Sequence, residues 1–113
     1  MPEHYRLDRV REMADNDEDF VMALAAAFID EVPVDADRLR KAVPENDYYE
    51  AYQAAHKMKP TLELFGLTAY HALIEVQDWG KYEQSDKDIS AQLEKVLDGV
   101  DKATEEIKSD FGL

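Results

Sequence analysis

Apolar residues recur at steps of three and four along almost the whole chain, the period of helices that bury one face. Leu7, Val10 and Met13 mark a short first helix. A second, longer helix carries Phe20, Leu24, Phe28, Val32, Ala36, Leu39 and Val43 on one stripe. Pro33 lies inside that stripe and is expected to bend the helix. The acidic run Asp15-Asn16-Asp17-Glu18-Asp19 precedes it and offers capping oxygens and favourable first-turn charges. Pro44-Glu45-Asn46-Asp47 reads as the loop that follows.

The next helix is predicted from about Tyr48 to Phe65, with Ala51, Ala55, Met58, Leu62 and Phe65 as its apolar stripe and Gly66 as its C-terminal cap. Thr68 is placed to cap a further helix bearing Leu73, Val76 and Trp79 and ending at Gly80. Ser85 with Asp88 resembles a capping box for the last helix, whose stripe is Ile89, Leu93, Val96, Val100, Ala103 and Ile107. Three of the four glycines thus fall where helices should end. No Asn-Gly or Asp-Gly turn joins alternating apolar runs, so strands are not expected. Short connections make consecutive helices antiparallel neighbours. The predicted fold is all-α: one domain over residues 1–113, an antiparallel four-helix bundle with a short additional helix at its N-terminal end.

Composition narrows the function classes. Hydrophobic residues make up 45% and charged residues 35%, enough apolar surface for a core at a length of 113 residues. The absence of cysteine excludes disulfides, thiolate metal sites and cysteine nucleophiles. Net charge is −13, which repels phosphate backbones and anionic lipid, so neither nucleic acid nor a membrane surface is expected as a partner. No apolar run reaches membrane-spanning length, and Met1-Pro2-Glu3-His4 lacks the basic and apolar regions of a leader. A cytoplasmic protein is expected. The short tails favour a free-standing one, and one buried seam per helix favours a monomer. A phosphoryl group handled by so acidic a chain must find local positive charge.

Three histidines are available. His4 sits near a terminus and reads as frayed. His71 falls early in a helix with no evident partner and takes a structural reading. His56 differs: relative to the stripe of Ala51, Ala55, Met58, Leu62 and Phe65 it points roughly 150° away, into solvent in mid-helix. A solvated imidazole keeps a large neutral fraction at physiological pH, and its free lone pair suits a nucleophile. Residues three and four away on the helix surface are Tyr52, Gln53, Lys59 and Pro60. Lys59 brings an ammonium close to the ring and Lys57 adds a second, a local exception in an acidic chain. Glu63 lies further along, and no other carboxylate gathers around His56. A lone exposed histidine beside lysines is more often an ordinary surface residue, so spacing alone does not decide its role.

The stretch Ala55-His56-Lys57-Met58-Lys59-Pro60-Thr61-Leu62-Glu63-Leu64-Phe65-Gly66-Leu67 resembles the signature of histidine-containing phosphotransfer (HPt) domains, in which a histidine is followed by any residue, Leu or Met, Lys and usually Gly, with another Gly further on. His56, Met58, Lys59 and Gly66 match in register. The order of the segments, an acidic run, a long helix with an internal proline, the histidine helix and two more, is similar to the family layout over essentially the whole chain. The resemblance implies a phosphoryl carrier rather than a kinase. His56 would accept a phosphoryl group through Nε2 from a receiver-domain aspartate and pass it to another receiver. Lys59 would contact the phosphoryl oxygens. Tyr52, Gln53, Lys57, Pro60 and Glu63 would belong to the docking surface. It also implies no cofactor in this chain, with Mg²⁺ held by the receiver, such as that of a hybrid sensor histidine kinase. Pro60 departs from the family's usual glycine, whose small size lets the partner approach closely.

Three other classes compete. A helical docking module could bind receivers or other helical partners without phosphotransfer. A di-metal bundle would need inward Glu-x-x-His pairs, and the sequence contains none. A hydrolase lacks any serine near a histidine with a plausible acid.

Overall fold

The computed structural model describes residues 3–113, so Met1 and Pro2 of the stretch read above for a leader lie outside the described residues. Five helices follow in order: α1, Asp8–Met13; α2, Glu18–Ala42; α3, Tyr48–Leu64; α4, Tyr70–Lys81; and α5, Ser90–Phe111. Helix accounts for 74% of the structure, with no strands among the described residues.

Two starts follow the sequence closely. Asp17 caps α2, its Oδ1 accepting from the amides of Asp19 (3.0 Å) and Phe20 (3.4 Å). Asp47 caps α3 by accepting from the Glu50 amide at 3.2 Å. The starts of α4 and α5 differ. Ala69, not Thr68, is the N-cap of α4 and supplies no side-chain bond; the Thr68 amide instead donates to the His4 carbonyl. The Ser85–Asp88 capping box does not form either. Ile89 is the N-cap of α5, and Asp88 turns forward to accept from the amide and hydroxyl of Ser90. α5 starts later than its apolar pattern suggests, because Ile89, the first residue of its stripe, is buried without being helical.

The α2 stripe also shifts. Phe20 is 42% exposed and Leu24 half-buried, while Val21 and Ala25 are fully buried. Unbroken steps of four drift about 40° per step around a helix of 3.6 residues per turn. The buried set Val21, Ala25, Phe28, Val32, Ala36 and Leu39 mixes threes with fours and stays on one face. Val43 is buried, but in the turn after α2. Met13 is exposed at the end of α1. Neither Pro33 nor Pro60 ends its helix.

Buried apolar residues from all five helices form one cluster. α2 packs against α3 and α5, and α4 packs against the same two. Arg38 reaches Glu50 while Asp35 reaches Lys57, so α2 and α3 run in opposite directions. Gly80 abuts Tyr48 and Tyr52 while Tyr70 reaches Glu63, so α3 and α4 do the same. Gly80 is therefore no helix stop. It lies within α4, where a side chain would collide with the α3 backbone, and α4 continues to Lys81.

His4 is tied down rather than frayed. Its ring Nδ1 contacts Glu106 Oε2, and the amides of Glu3 and His4 both donate to Glu106 Oε1 at 2.9 Å. Tyr5 is buried and its hydroxyl donates to Asp110 at 2.6 Å. The Arg6 amide completes the strap on the Phe65 carbonyl at 2.6 Å. Burial pushes the Glu106 carboxyl up, but the hydrogen bonds from His4 and Glu3 outweigh it and hold it below its ordinary value. A depressed carboxyl stabilises the fold above its unfolded-state pKa and loses that contribution as pH falls through the folded one. Glu106→Gln is thus expected to cost about 1 kcal/mol at neutral pH and to flatten the loss of stability below pH 4.5. Urea titrations across that range measure both; parallel curves for the two proteins would show that the carboxylate charge contributes nothing.

Candidate functional site

α3 divides cleanly by face. Ala51, Ala54, Ala55, Met58 and Leu62 are buried, with Met58 at 1% exposure. His56 is exposed on the opposite side, as its spacing predicts. Its ring stacks on Tyr52 one turn earlier, with centroids 5.5 Å apart and planes at 28°. Tyr52 is half-buried, and its backbone lies against Gly80, so the stacking partner is anchored by α4.

The two lysines part company. Lys59 is half-buried, on the flank of α3 that faces α4, and has no ion-pair partner among the described residues. Lys57 lies about 100° around the axis from His56. Its Nζ is 3.4 Å from Asp35 Oδ1 on α2. Lys59 thus stands without an ion-pair partner among the described residues, whereas the Lys57 ammonium also faces a carboxylate of α2. That carboxylate is Asp35, whose side chain is only 4% exposed and draws both Lys57 and Arg38. Buried carboxylates need such partners.

Sequence reasoning missed this second cluster. Arg38 reaches Glu50 with Nε at 3.0 Å and a terminal nitrogen at 2.8 Å, a bidentate pair. The Arg38 guanidinium holds the Glu50 carboxyl below its usual range. The cluster pins α2 to α3 on both sides of His56 in sequence, at Glu50 and at Lys57. Its signal was Asp35 itself, a carboxylate between Val32 and Leu39 on a buried stripe.

The remaining expected site residues spread along the same surface. Gln53 is half-buried and Pro60 exposed. Glu63 is engaged elsewhere, accepting from Arg9 of α1 and from the Tyr70 hydroxyl of α4, both at 3.3 Å. His71 is exposed, edge-on to Tyr70 at 5.6 Å, and lines a groove between α4 and α5 with His4 and Glu75. No three histidine or acidic side chains among the described residues are grouped as a metal site. No described helix is long and apolar enough to cross a membrane.

His56 therefore offers an accessible imidazole on a rigid, packed helix, with one cation a turn away and an aromatic ring behind it. The open surface around it suits a macromolecular partner better than an enclosed small substrate. No protein-family model, curated protein or solved structure matches the chain.

Proposed function

We propose that this chain is a phosphoryl carrier of a His-Asp relay, with His56 as acceptor and α2 to α5 forming the antiparallel four-helix bundle of an HPt-like domain. The observation that carries the reading is the exposure of His56 opposite a fully buried stripe, in the register His-x-Met-Lys with half-buried Lys59. In this reading a receiver aspartyl phosphate supplies the group and the receiver holds the Mg²⁺. The His56 Nε2 lone pair forms the N–P bond while the P–O bond to the aspartate breaks, and the carboxylate leaves with its electron pair. Lys59 offsets charge on the phosphoryl oxygens as they arrive. The chain needs no cofactor of its own and acts as a carrier, in the cytoplasm and as a monomer.

Incubation with a phosphorylated receiver domain tests this. The label should pass to the chain and should be lost in acid but kept in alkali, the behaviour of phosphohistidine. A protein that binds the receiver and gains no label would be a docking module instead.

Lys59→Ala is expected to slow transfer without weakening the fold. The lost contact is charge-assisted, about 1.5–3 kcal/mol at most, or roughly ten- to a hundredfold in rate. Rapid-quench transfer kinetics measure it, and an unchanged rate would reduce Lys59 to a solvated surface charge.

A further inference from the structure

The start of α3 and the end of α4 gather four of the chain's six tyrosines: Tyr48, Tyr49, Tyr52 and Tyr82. Packing accounts for two of them. Tyr48 lies against Trp79 with ring centroids 4.6 Å apart, and Tyr52 stacks on His56. Tyr49 and Tyr82 point outward, and Tyr49, at 74%, is the most exposed large apolar side chain among the described residues. Its register is the cause, because it stands about 160° around α3 from the buried Ala51. Tyrosines presented in this way are enriched where proteins meet partners.

Tyr49 forms a ridge between two grooves. One lies between the start of α3 and the end of α4, and the other between the end of α2 and the start of α3. Asp47 lines both, Glu83 the first and Glu45 the second. These three carboxylates have no ion-pair partner among the described residues. The cations nearby are mostly engaged. Arg38 is held by Glu50 and Asp35, and Lys81 lies over the Tyr82 ring, 5.2 Å from its centroid. Lys41 is the remaining one. The ridge is therefore an aromatic surface flanked by unmatched negative charge.

We propose that Tyr49 and its two grooves dock an extended, arginine-bearing segment of a partner protein, with a guanidinium on the Tyr49 ring and its N–H groups toward Asp47, Glu45 and Glu83. Arginine suits the place better than lysine. Its flat, weakly hydrated head stacks on a ring and still presents donors sideways to carboxylates. The chain already shows the ring chemistry within itself, where Lys81 covers Tyr82. An extended backbone crossing the ridge lays a side chain in each groove. The net charge of −13 draws such a segment in from a distance. Tyr52 lines the first groove and also carries the His56 ring, so the segment lies beside whatever meets His56. The docking itself does not depend on the chemistry of His56.

The experiment titrates the whole chain with the fluorescent peptide Gly-Ser-Arg-Ser-Arg-Ser-Gly and with its lysine counterpart, in about 0.1 M salt to screen diffuse attraction. The arginine peptide should bind saturably and more tightly than the lysine one. Tyr49→Leu, at an exposed position, should weaken it about two- to fivefold and erase the preference for arginine, whereas Tyr49→Phe should keep both. Exchanging Glu45 and Glu83 together for glutamine should weaken binding about three- to tenfold. The same exchange at Glu94 and Glu105, exposed on α5, should leave it unchanged. Amide signals of residues 45–52 and 80–83 should shift on titration. Absence of saturable binding overturns the proposal, as do signal shifts centred elsewhere. Equal affinity for the two peptides with no effect of Tyr49→Leu, or equal losses from the two glutamine pairs, would mean attraction to an acidic chain and no docking site. Circular dichroism of each variant separates a lost site from a lost fold, and transfer of label to His56 plays no part in the result.

Discussion

His56→Gln should abolish phosphoryl acceptance completely and leave the protein folded. Both halves follow from the position of the residue. The side chain is exposed and its ring touches only Tyr52 among the described aromatic contacts, so exchanging it for glutamine should change stability by no more than about 0.5 kcal/mol. Glutamine is also at least as good a helix former as histidine. Its amide nitrogen has no lone pair available for an N–P bond, so the loss of labelling should be total rather than graded. The other histidines do not substitute. His4 is held by Glu106, and His71 faces the groove between α4 and α5. Labelling by a phosphorylated receiver, read beside circular dichroism, decides the matter. Label retained at wild-type level would end the carrier hypothesis. Label lost together with helicity would place His56 in the structural core, against its exposure.

The helix pattern and the exposure of His56 were legible because both depend on local periodicity. One buried stripe on α3 fixes which residue stands opposite it, whatever the neighbouring helices do. The capping of α2 from the acidic run, by Asp17, was legible for the same reason, since a cap acts within three residues. What failed were details decided by a neighbouring element. Lys57 and Lys59 look equivalent in sequence, but the buried carboxylate of Asp35, twenty-two positions before Lys57, draws one of them away. His4 looks like a loose end until Glu106 appears beside it from the far end of the chain. Gly80 reads as a helix stop because glycine is common there, whereas here the missing side chain is what lets two backbones touch.

Gly80→Ala should be the most destabilising of the conservative substitutions near this site. Placed in an isolated helix, alanine would stabilise by about 1 kcal/mol relative to glycine. In α4 the added Cβ would stand 2.7 Å from the Tyr48 carbonyl oxygen, 2.8 Å from the Tyr52 nitrogen and 3.2 Å from the Tyr52 Cα. All three are backbone atoms, so no side-chain rotation relieves the overlap, and α3 and α4 must move apart. Overpacking of a close-packed seam costs about 1–3 kcal/mol, occasionally more, and the rigid obstacle here places it at the upper end. Set against the gain in helix propensity, a net loss of about 2 kcal/mol is expected, roughly 8–16 °C in Tm for a domain of this size. The displacement centres on Tyr52, the ring on which His56 stacks, so the imidazole resonances should shift even at temperatures where the variant is fully folded. Gly99 provides the comparison: a Cβ there would meet only the Ala69 side chain, at 2.6 Å, so Gly99→Ala should be rescued by Ala69→Gly. No side-chain truncation should rescue Gly80→Ala. Thermal melts of the single and double variants test the distinction, and an unchanged or raised Tm for Gly80→Ala would mean that α3 and α4 do not approach as closely as the glycine allows.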